Sequence, residues 1–252
     1  MKVVGIIPAR YNSSRFPGKP LAMIKGKTMI RRVCEQAWKS RLDAVVVATD
    51  DVRIADEVQG FGGQYVLTDP NHRSGTDRCQ EALEIIGNQY DAVANIQGDE
   101  PFIDPVQINQ VVELIRRDDI QLASLAQRIG DKEELFSPNI VKVVMDKHGN
   151  ALYFSRNPIP FIRNLDHDQW LENGVFYKHI GIYAYKAETL RQVAELQPTS
   201  LENAESLEQL RWLENGLRIR MGITQGENIS IDTREDLEKV LQFAQNQTDK
   251  MK

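Results

Sequence analysis

The first 29 residues constrain the fold of this chain more than any other stretch. Residues 3–7, VVGII, are almost entirely β-branched, and a loop rich in Gly and Pro follows with Arg10, Arg15 and Lys19. Such an apolar run is typical of a strand buried on both faces of a parallel sheet, and we expect it to end at Pro8. Ligands of these sheets bind beyond the carboxyl ends of the strands, where this loop lies. The opening of the chain therefore predicts a binding site built from one strand and one loop.

The cations of this loop have no acidic neighbour along the chain, because no Asp or Glu precedes Glu35. A solvated basic surface loop would have the same composition. The position of the loop, between a buried strand and a helix that we expect to begin near Thr28, favours a phosphate site. Neither GxGxxG nor GxxxxGK[ST] occurs in this segment, so side chains would supply most of the phosphate contacts.

Strand and helix patterns alternate through the first half of the chain, which predicts parallel βαβ units. Further strands are expected at residues 44–48, 65–67, 91–97 and 229–231. After about Gln127 the pattern changes, because residues 141–145 and 151–154 predict a hairpin and residues 158–173 are irregular and polar. We expect one α/β domain over residues 1–252, with a mostly parallel central sheet, flanking helices and a smaller inserted lobe at about 128–200.

Composition argues against several classes of function. A net charge of -5 and a pI near 5.5 disfavour a nucleic-acid partner, which would require a basic balance. Cys34 and Cys79 lie far apart without a CxxC motif, so neither a disulfide framework nor a zinc site is indicated. The chain shows no leader pattern and no apolar run of membrane-spanning length. We therefore expect a cytoplasmic protein that does not insert into membranes.

The segment NHRSGTDR, residues 71–78, precedes a predicted helix. Ser74 and Asp77 have the spacing of a helix cap and its acidic partner, which alone would explain both residues. His72, Arg73 and Arg78 also lie at this helix N-terminus, where free N–H groups favour a bound anion or a polar base edge. Both interpretations remain open on the sequence.

Two carboxylates are expected where strands end. Asp99 follows the predicted strand at residues 91–97, and Asp232 follows the one at residues 229–231. Either could simply form a turn or flank a helix cap at Thr233. Beside a phosphate site, two carboxylates are suitable ligands for Mg²⁺, which bridges phosphate oxygens in nucleotidyl transfer. The sequence therefore predicts a metal pair, Asp99 and Asp232.

Polar faces in the second half could hold a second substrate. Strict alternation in KHIGIYAY, residues 178–185, places His179 and Tyr183 on one strand face, opposite the aliphatic face. A capping box at residues 199–202 predicts a helix that carries Glu205, Glu208 and Gln209 on one polar face. Solvated surfaces would show the same patterns.

Several motifs carry a resemblance to a known family, and they extend from Pro8 to Leu237. They are IIPARYNSSRFPGKPL, HRSGTDR, NIQGDEP, ALYFSRNPIP, HIGIYAY, LEQLR and IDTRED. Together they resemble the 3-deoxy-manno-octulosonate cytidylyltransferases, the CMP-KDO synthetases of Gram-negative bacteria. The resemblance implies a nucleotide-diphospho-sugar transferase-like fold and a homodimer. It also implies a nucleotidyltransferase that converts CTP and KDO into CMP-KDO and pyrophosphate for lipopolysaccharide biosynthesis.

The same resemblance implies roles for individual residues. CTP would lie on Pro8, Ala9, Arg10, Arg15, Lys19, Arg73, Ser74, Gln97 and Gly98. KDO would lie on Arg78, Gln97, His179, Tyr183, Glu208 and Gln209. Mg²⁺ would lie on Asp99 and Asp232, and the catalytic residues would be Lys19, Arg10 and Asp99.

Two other functions are compatible with these motifs. A cytidylyltransferase for another acidic sugar, such as sialic acid or 8-amino-KDO, could use the same phosphate apparatus. A non-catalytic nucleotide-binding regulator could share the fold, since a fold does not determine a function. The presence of Lys19, Asp99 and Asp232 together argues against the regulator.

Overall fold

The amino-terminal strand lies at the centre of a parallel sheet, as its apolar sequence predicts. In the computed structural model, which describes residues 1–12, 15–87, 89–226, 229–239 and 241, β1 spans Val3–Ala9. Its parallel neighbours are the strands Ala44–Thr49 and Ala92–Asn95, and Gln64–Leu67 pairs in parallel with the first of these. The four apolar β-branched residues of β1 are fully buried. The expectation of a strand buried on both faces is confirmed.

Pro8 does not end this strand, contrary to the sequence-based expectation. The parallel register with Ala44–Thr49 continues through Pro8 and Ala9. Pairing with Ala92–Asn95 has already ended at Ile6, so Pro8 lies where the strand has one neighbour. A proline has no N–H to donate and is tolerated at such edge positions. The strand therefore extends two residues closer to the loop of cations.

The chain forms two compact units, residues 1–109 with 227–252 and residues 110–226. Thr28 caps the first helix by accepting a hydrogen bond from the Arg31 N–H, as predicted. The described elements of the first unit are β1, β2 (Met23–Ile24), β3 (Lys27–Thr28), α1 (Met29–Ala37), β4 (Ala44–Thr49), α2 (Val52–Gly60), β5 (Gln64–Leu67), α3 (Gly75–Ile86) and β6 (Ala92–Asn95). The division between the units falls within α4 (Pro105–Ile115).

The second unit contains the predicted hairpin and a further set of strands and helices. Its elements are β7 (Leu122–Arg128), α5 (Lys132–Phe136), β8 (Lys142–Met145), β9 (Ala151–Ser155), α6 (Trp170–Asn173), β10 (Tyr177–Lys186), α7 (Ala187–Glu195), α8 (Ser200–Glu205), α9 (Glu208–Glu214) and β11 (Arg220–Thr224). Strand β7 pairs antiparallel with β10 and parallel with β11, and β8 pairs antiparallel with β9. The expectation of a smaller inserted lobe at about 128–200 stays a prediction.

Two expected elements differ in the structure. Residues 229–231 form no strand, and the Ile231 N–H instead donates one hydrogen bond of 3.0 Å to the backbone oxygen of Asp99. The helix expected from residue 199 onward is interrupted at Ser206, whose φ of 53° is left-handed and separates α8 from α9. Within the described ranges, no helix has both the length and the apolar composition needed to span a bilayer.

One buried cation joins two backbone segments of the second unit. The Lys142 ammonium donates to the carbonyl oxygens of Ser137, Ile140 and Arg156 at 2.8, 2.6 and 2.5 Å. The side chain is fully buried, and this burial lowers the pKa of the ammonium. Carbonyl oxygens replace water as partners of the charge.

Lys142→Met should destabilise the protein by about 2 kcal/mol or more, because three carbonyl groups lose their donor. Lys147→Met is the matched control: Lys147 is exposed in the nearby turn, and its replacement should change stability by less than about 0.5 kcal/mol. Urea unfolding of both variants measures the difference. Equal stability of the two would contradict this role for Lys142.

Candidate active site

A pocket of about 230 Å³ opens in the first unit beyond the carboxyl end of β1. Every residue predicted for the nucleotide lines this pocket: Pro8, Ala9, Arg10, Arg15, Lys19, Arg73, Ser74, Gln97 and Gly98. Asp99, Asp232 and Arg78 line it as well. The rule that ligands of parallel sheets bind beyond the strands' carboxyl ends predicted this location.

Lys19 lies between the two carboxylates predicted to bind metal. Its ammonium is 2.7 Å from Asp99 Oδ2 and 3.4 Å from Asp232 Oδ1, and Arg15 Nη2 is 3.2 Å from the same Asp232 oxygen. The Lys19 side chain is only 13% exposed, whereas that of Arg15 is 64% exposed. The loop cations have no acidic neighbours along the chain, but the fold supplies acids from two remote segments.

Local structure explains why these groups meet. Gly18 adopts φ 73°, which favours glycine, and turns the chain into a short 3-10 helix that begins at Lys19. Asp99 follows β6, and the Ile231–Asp99 backbone hydrogen bond brings the next residue, Asp232, beside it. Thr233 and Asp236 then cap the following helix, because each accepts a hydrogen bond from the other's backbone N–H.

The donor set in this pocket fits a divalent cation that is shared with phosphate. Asp99 and Asp232 present carboxylate oxygens to one common position, that of the Lys19 ammonium. Among the residues that the structure describes, no cluster of three or more His, Cys, Asp or Glu could hold a metal. Mg²⁺ commonly binds one or two carboxylates and completes its shell with substrate phosphates and water. The two carboxylates therefore fit a metal that arrives with a nucleotide.

The pocket lining also carries positive charge that is available to an anion. Arg10 and Arg73 are both exposed, and in the described part of the chain neither guanidinium has an ion-pair partner. Gly98 lies so close to β1 that a Cβ atom there would be 2.8 Å from the backbone oxygen of Pro8. A side chain at position 98 would therefore push the loop after β6 away from the strand.

The predicted helix cap at Ser74 is confirmed. Ser74 Oγ accepts from the Asp77 N–H at 3.1 Å, and the Asp77 carboxylate accepts from the Ser74 N–H at 3.2 Å. Binding of an anion at this end of α3 stays a prediction. His72 is already hydrogen-bonded through Nε2 to Glu81, so of the three basic residues near this cap only Arg73 is both exposed and unpaired in the described structure.

Arg78 is buried and paired inside the first unit. Its Nη1 donates to Thr68 Oγ1 at 2.5 Å and its Nη2 to Asp50 Oδ2 at 3.0 Å, and only 3% of the residue is exposed. Asp50 and Thr68 were not predicted as partners of this arginine. Asp50 directly follows strand β4, just as Asp99 follows close after β6, so the same strand-end signal could have indicated it.

In the second unit, His179 and Tyr183 lie side by side. Their ring centroids are 5.3 Å apart, and His179 Nε2 is 2.9 Å from Ser124 Oγ. The strand between them is irregular, because the pairing with β7 shifts between Ile180 and Tyr183. Burial lowers the pKa of His179 to about 3 and raises that of Tyr183 well above its ordinary value. Both groups are therefore neutral hydrogen-bonding groups at physiological pH.

The polar helix face expected at Glu205, Glu208 and Gln209 is not formed. The break at Ser206 places Glu205 in α8 and the other two residues in α9. Glu205 accepts hydrogen bonds from Ser155 Oγ and the Arg156 N–H at 2.7 and 3.0 Å. Gln209 is 5% exposed, and Glu208 is half-buried at the first position of α9. The prediction from helical periodicity was wrong because Ser206, in the left-handed conformation, ends α8, and α9 begins with a new orientation.

Comparison with known proteins gives the family. The cytidylyltransferase family model matches residues 4–219. A 3-deoxy-manno-octulosonate cytidylyltransferase from Parabacteroides distasonis is 54% identical over 98% of this chain and 99% of its own length. One from Bacteroides thetaiotaomicron is 52% identical over 98% of this chain and its entire length. This chain belongs to the 3-deoxy-manno-octulosonate cytidylyltransferase family.

Solved structures agree with the family and with its fold. A CMP:2-keto-3-deoxy-manno-octonic acid synthetase complexed with CTP matches with a TM-score of 0.90 and 41% identity, over 98% of this chain and 100% of its own. A putative glucose-1-phosphate thymidylyltransferase from Bacillus anthracis, at 20% identity and a TM-score of 0.64, shares the fold alone. The α/β fold with a mostly parallel sheet and flanking helices is that of nucleotidyltransferases, as the resemblance implied.

In this cytidylyltransferase, Arg78→Met should lower the free energy of unfolding by about 3 kcal/mol or more. The Asp50 carboxylate is largely buried, and its Oδ1 has no described partner, so loss of Arg78 would leave it uncompensated. Arg73→Met is the matched control, because Arg73 is exposed near the start of the same helix and should cost less than about 0.5 kcal/mol. Urea unfolding distinguishes the two, and equal stabilities would show that the Arg78–Asp50 pair is not a structural contact.

Proposed function

We propose that this protein transfers CMP from CTP to the anomeric hydroxyl of KDO and releases pyrophosphate, the step that supplies CMP-KDO for lipopolysaccharide biosynthesis. The observation that carries the proposal is the 54% identity, over almost the whole of both chains, to a relative with that name. The pocket adds physical support, because it gathers several arginines and two carboxylates beyond a parallel strand. Such a set suits a nucleoside triphosphate with its metal.

The proposed reaction is a displacement at the α-phosphate. The oxygen of the KDO anomeric hydroxyl forms a bond to the α-phosphorus, and the bond from that phosphorus to the oxygen of the β-phosphate breaks. Pyrophosphate leaves with the bonding electrons, and the hydroxyl proton passes to solvent. This chemistry depends on alignment and on stabilisation of developing negative charge more than on a covalent nucleophile.

The residues of the first unit would bind the nucleotide. We assign the phosphates to Arg10, Arg15, Lys19 and Arg73, and the nucleoside to Pro8, Ala9, Ser74, Gln97 and Gly98. All of them line one pocket. Lys19 and Arg10 would stabilise the charge that develops on the departing pyrophosphate, since both flank the loop that carries Arg15.

Asp99 and Asp232 would hold Mg²⁺. When bound, the metal supplies positive charge that offsets the charge of the phosphate oxygens. The Lys19 ammonium supplies part of this positive charge itself, because it forms an ion pair with each carboxylate, and Arg15 pairs with Asp232 as well. These cations offset the repulsion between the two acids.

KDO would bind through one cation, one carboxylate and a set of neutral groups. We assign it to Arg78, Gln97, His179, Tyr183, Glu208 and Gln209. Arg78 would act from the pocket wall, where Asp50 and Thr68 hold its guanidinium. The low pKa of His179 keeps its imidazole neutral, so it can exchange hydrogen bonds with sugar hydroxyls without attracting a phosphate. The finer proposals of a cytoplasmic enzyme, a homodimer and Mg²⁺ as the metal follow from the family resemblance.

An assay of pyrophosphate release tests the proposal and its competitors together. CTP and Mg²⁺ are supplied with KDO, 8-amino-KDO or sialic acid, each offered singly. We expect release with KDO and little with the other acids, because buried polar groups left unpaired by the wrong sugar oppose its binding. Preference for another acid would reassign the acceptor, and CTP binding without release for any acid would indicate a regulator.

A further inference from the structure

A cation–π contact lies beside the phosphate loop but outside its pocket. The guanidinium carbon of Arg53, near the start of α2, is 3.4 Å from the centroid of the Tyr11 ring. Asp51 holds this guanidinium through two hydrogen bonds, to Nε at 2.9 Å and to Nη2 at 2.6 Å. Asp51 also caps α2, so the arginine is attached to the first turn of a helix. A planar cation held in this way is a fixed surface for an aromatic ring.

The same tyrosine contacts the other end of the loop. The Gly18 N–H donates a 2.8 Å hydrogen bond to the Tyr11 backbone oxygen. A Cβ atom at Gly18 would lie 3.2 Å from Tyr11 Cζ and Oη, so the ring and this glycine already pack tightly. Because Gly18 also has a φ of 73°, glycine is favoured there by both space and conformation.

These contacts connect α2 with the two residues that matter most in the loop. Tyr11 directly follows Arg10, and Gly18 directly precedes Lys19. Arg10 and Lys19 line the pocket, whereas Tyr11, Gly18 and Arg53 are absent from its described lining. Any effect of Arg53 or Tyr11 on catalysis must therefore act through the position of their neighbours.

We propose that Arg53 and Tyr11 are positioning residues, which hold the ends of the phosphate loop so that Arg10 and Lys19 meet the CTP phosphates in register. The inference rests on the proposed function. Displacement of a reacting group by about 1 Å can cost about a hundredfold in rate, so a small contact outside the pocket has a measurable effect. The Arg53 side chain is 55% exposed, which makes the expected effect moderate.

The chain contains a close control for Arg53. Arg117 is also 55% exposed, and Asp119, two residues away, binds its Nε and Nη2 at 3.1 Å each. No ring stacks on Arg117 among the described contacts. Arg117→Ala therefore removes a comparable exposed ion pair without touching the phosphate loop.

Arg53→Ala should lower kcat/KM for CTP about fivefold to thirtyfold and leave KM for KDO unchanged. Arg117→Ala should leave both parameters at their wild-type values. Tyr11→Phe retains the ring and should restore most of the activity that Tyr11→Leu loses. In the double variant R53A/Y11L the two losses should not multiply, because both changes remove one contact.

Three outcomes would overturn the proposal. The first is identical kinetics for Arg53→Ala and Arg117→Ala. The second is a Tyr11→Phe variant as impaired as Tyr11→Leu. The third is an Arg53→Ala variant with a lowered melting temperature and equal changes in KM for CTP and for KDO. Calorimetric titration of CTP separates this inference from the proposed function. If wild type turns over no acceptor, the proposed function fails, and weaker CTP binding by Arg53→Ala than by Arg117→Ala still supports the positioning role.

Discussion

The Lys19 ammonium, shared by Asp99 and Asp232, is the interaction on which the pocket depends. The three residues are remote along the chain, since 80 positions separate Lys19 from Asp99 and 213 separate it from Asp232. The ammonium offsets the repulsion between the two carboxylates, because it lies within ion-pair distance of both. The lysine therefore joins two acids from segments that are remote along the chain.

This dependence explains the design of the first unit. Strand β1 extends through Pro8 to Ala9, and Gly98 permits the loop after β6 to approach its end. The Ile231 N–H then anchors the late segment to the Asp99 backbone. Each feature helps to bring Lys19 close to Asp99 or Asp232, although these residues are remote along the chain. In the second unit, burial keeps His179 and Tyr183 neutral.

Much of this arrangement could be predicted from sequence, because the carboxyl ends of parallel strands lie at the same edge of their sheet. That rule located the pocket and the position of Asp99, and cap chemistry located Ser74 and Thr28 correctly. Periodicity failed where one residue breaks the repeat, as Ser206 does between α8 and α9. The Arg78–Asp50 pair was not predicted. Arg78 lies in the first turn of a helix and Asp50 follows a strand, and neither local pattern indicates a partner elsewhere in the chain.

The most direct test of this account is the effect of Lys19→Met on the kinetics of pyrophosphate release as CTP is varied. If Lys19 acts on charge that develops as pyrophosphate departs, kcat should fall by about a hundredfold or more while KM for CTP changes little. A melting temperature near that of wild type would show that the variant remains folded. A change confined to KM for CTP would contradict the account, because Lys19 would then bind ground-state phosphate without assisting the reaction.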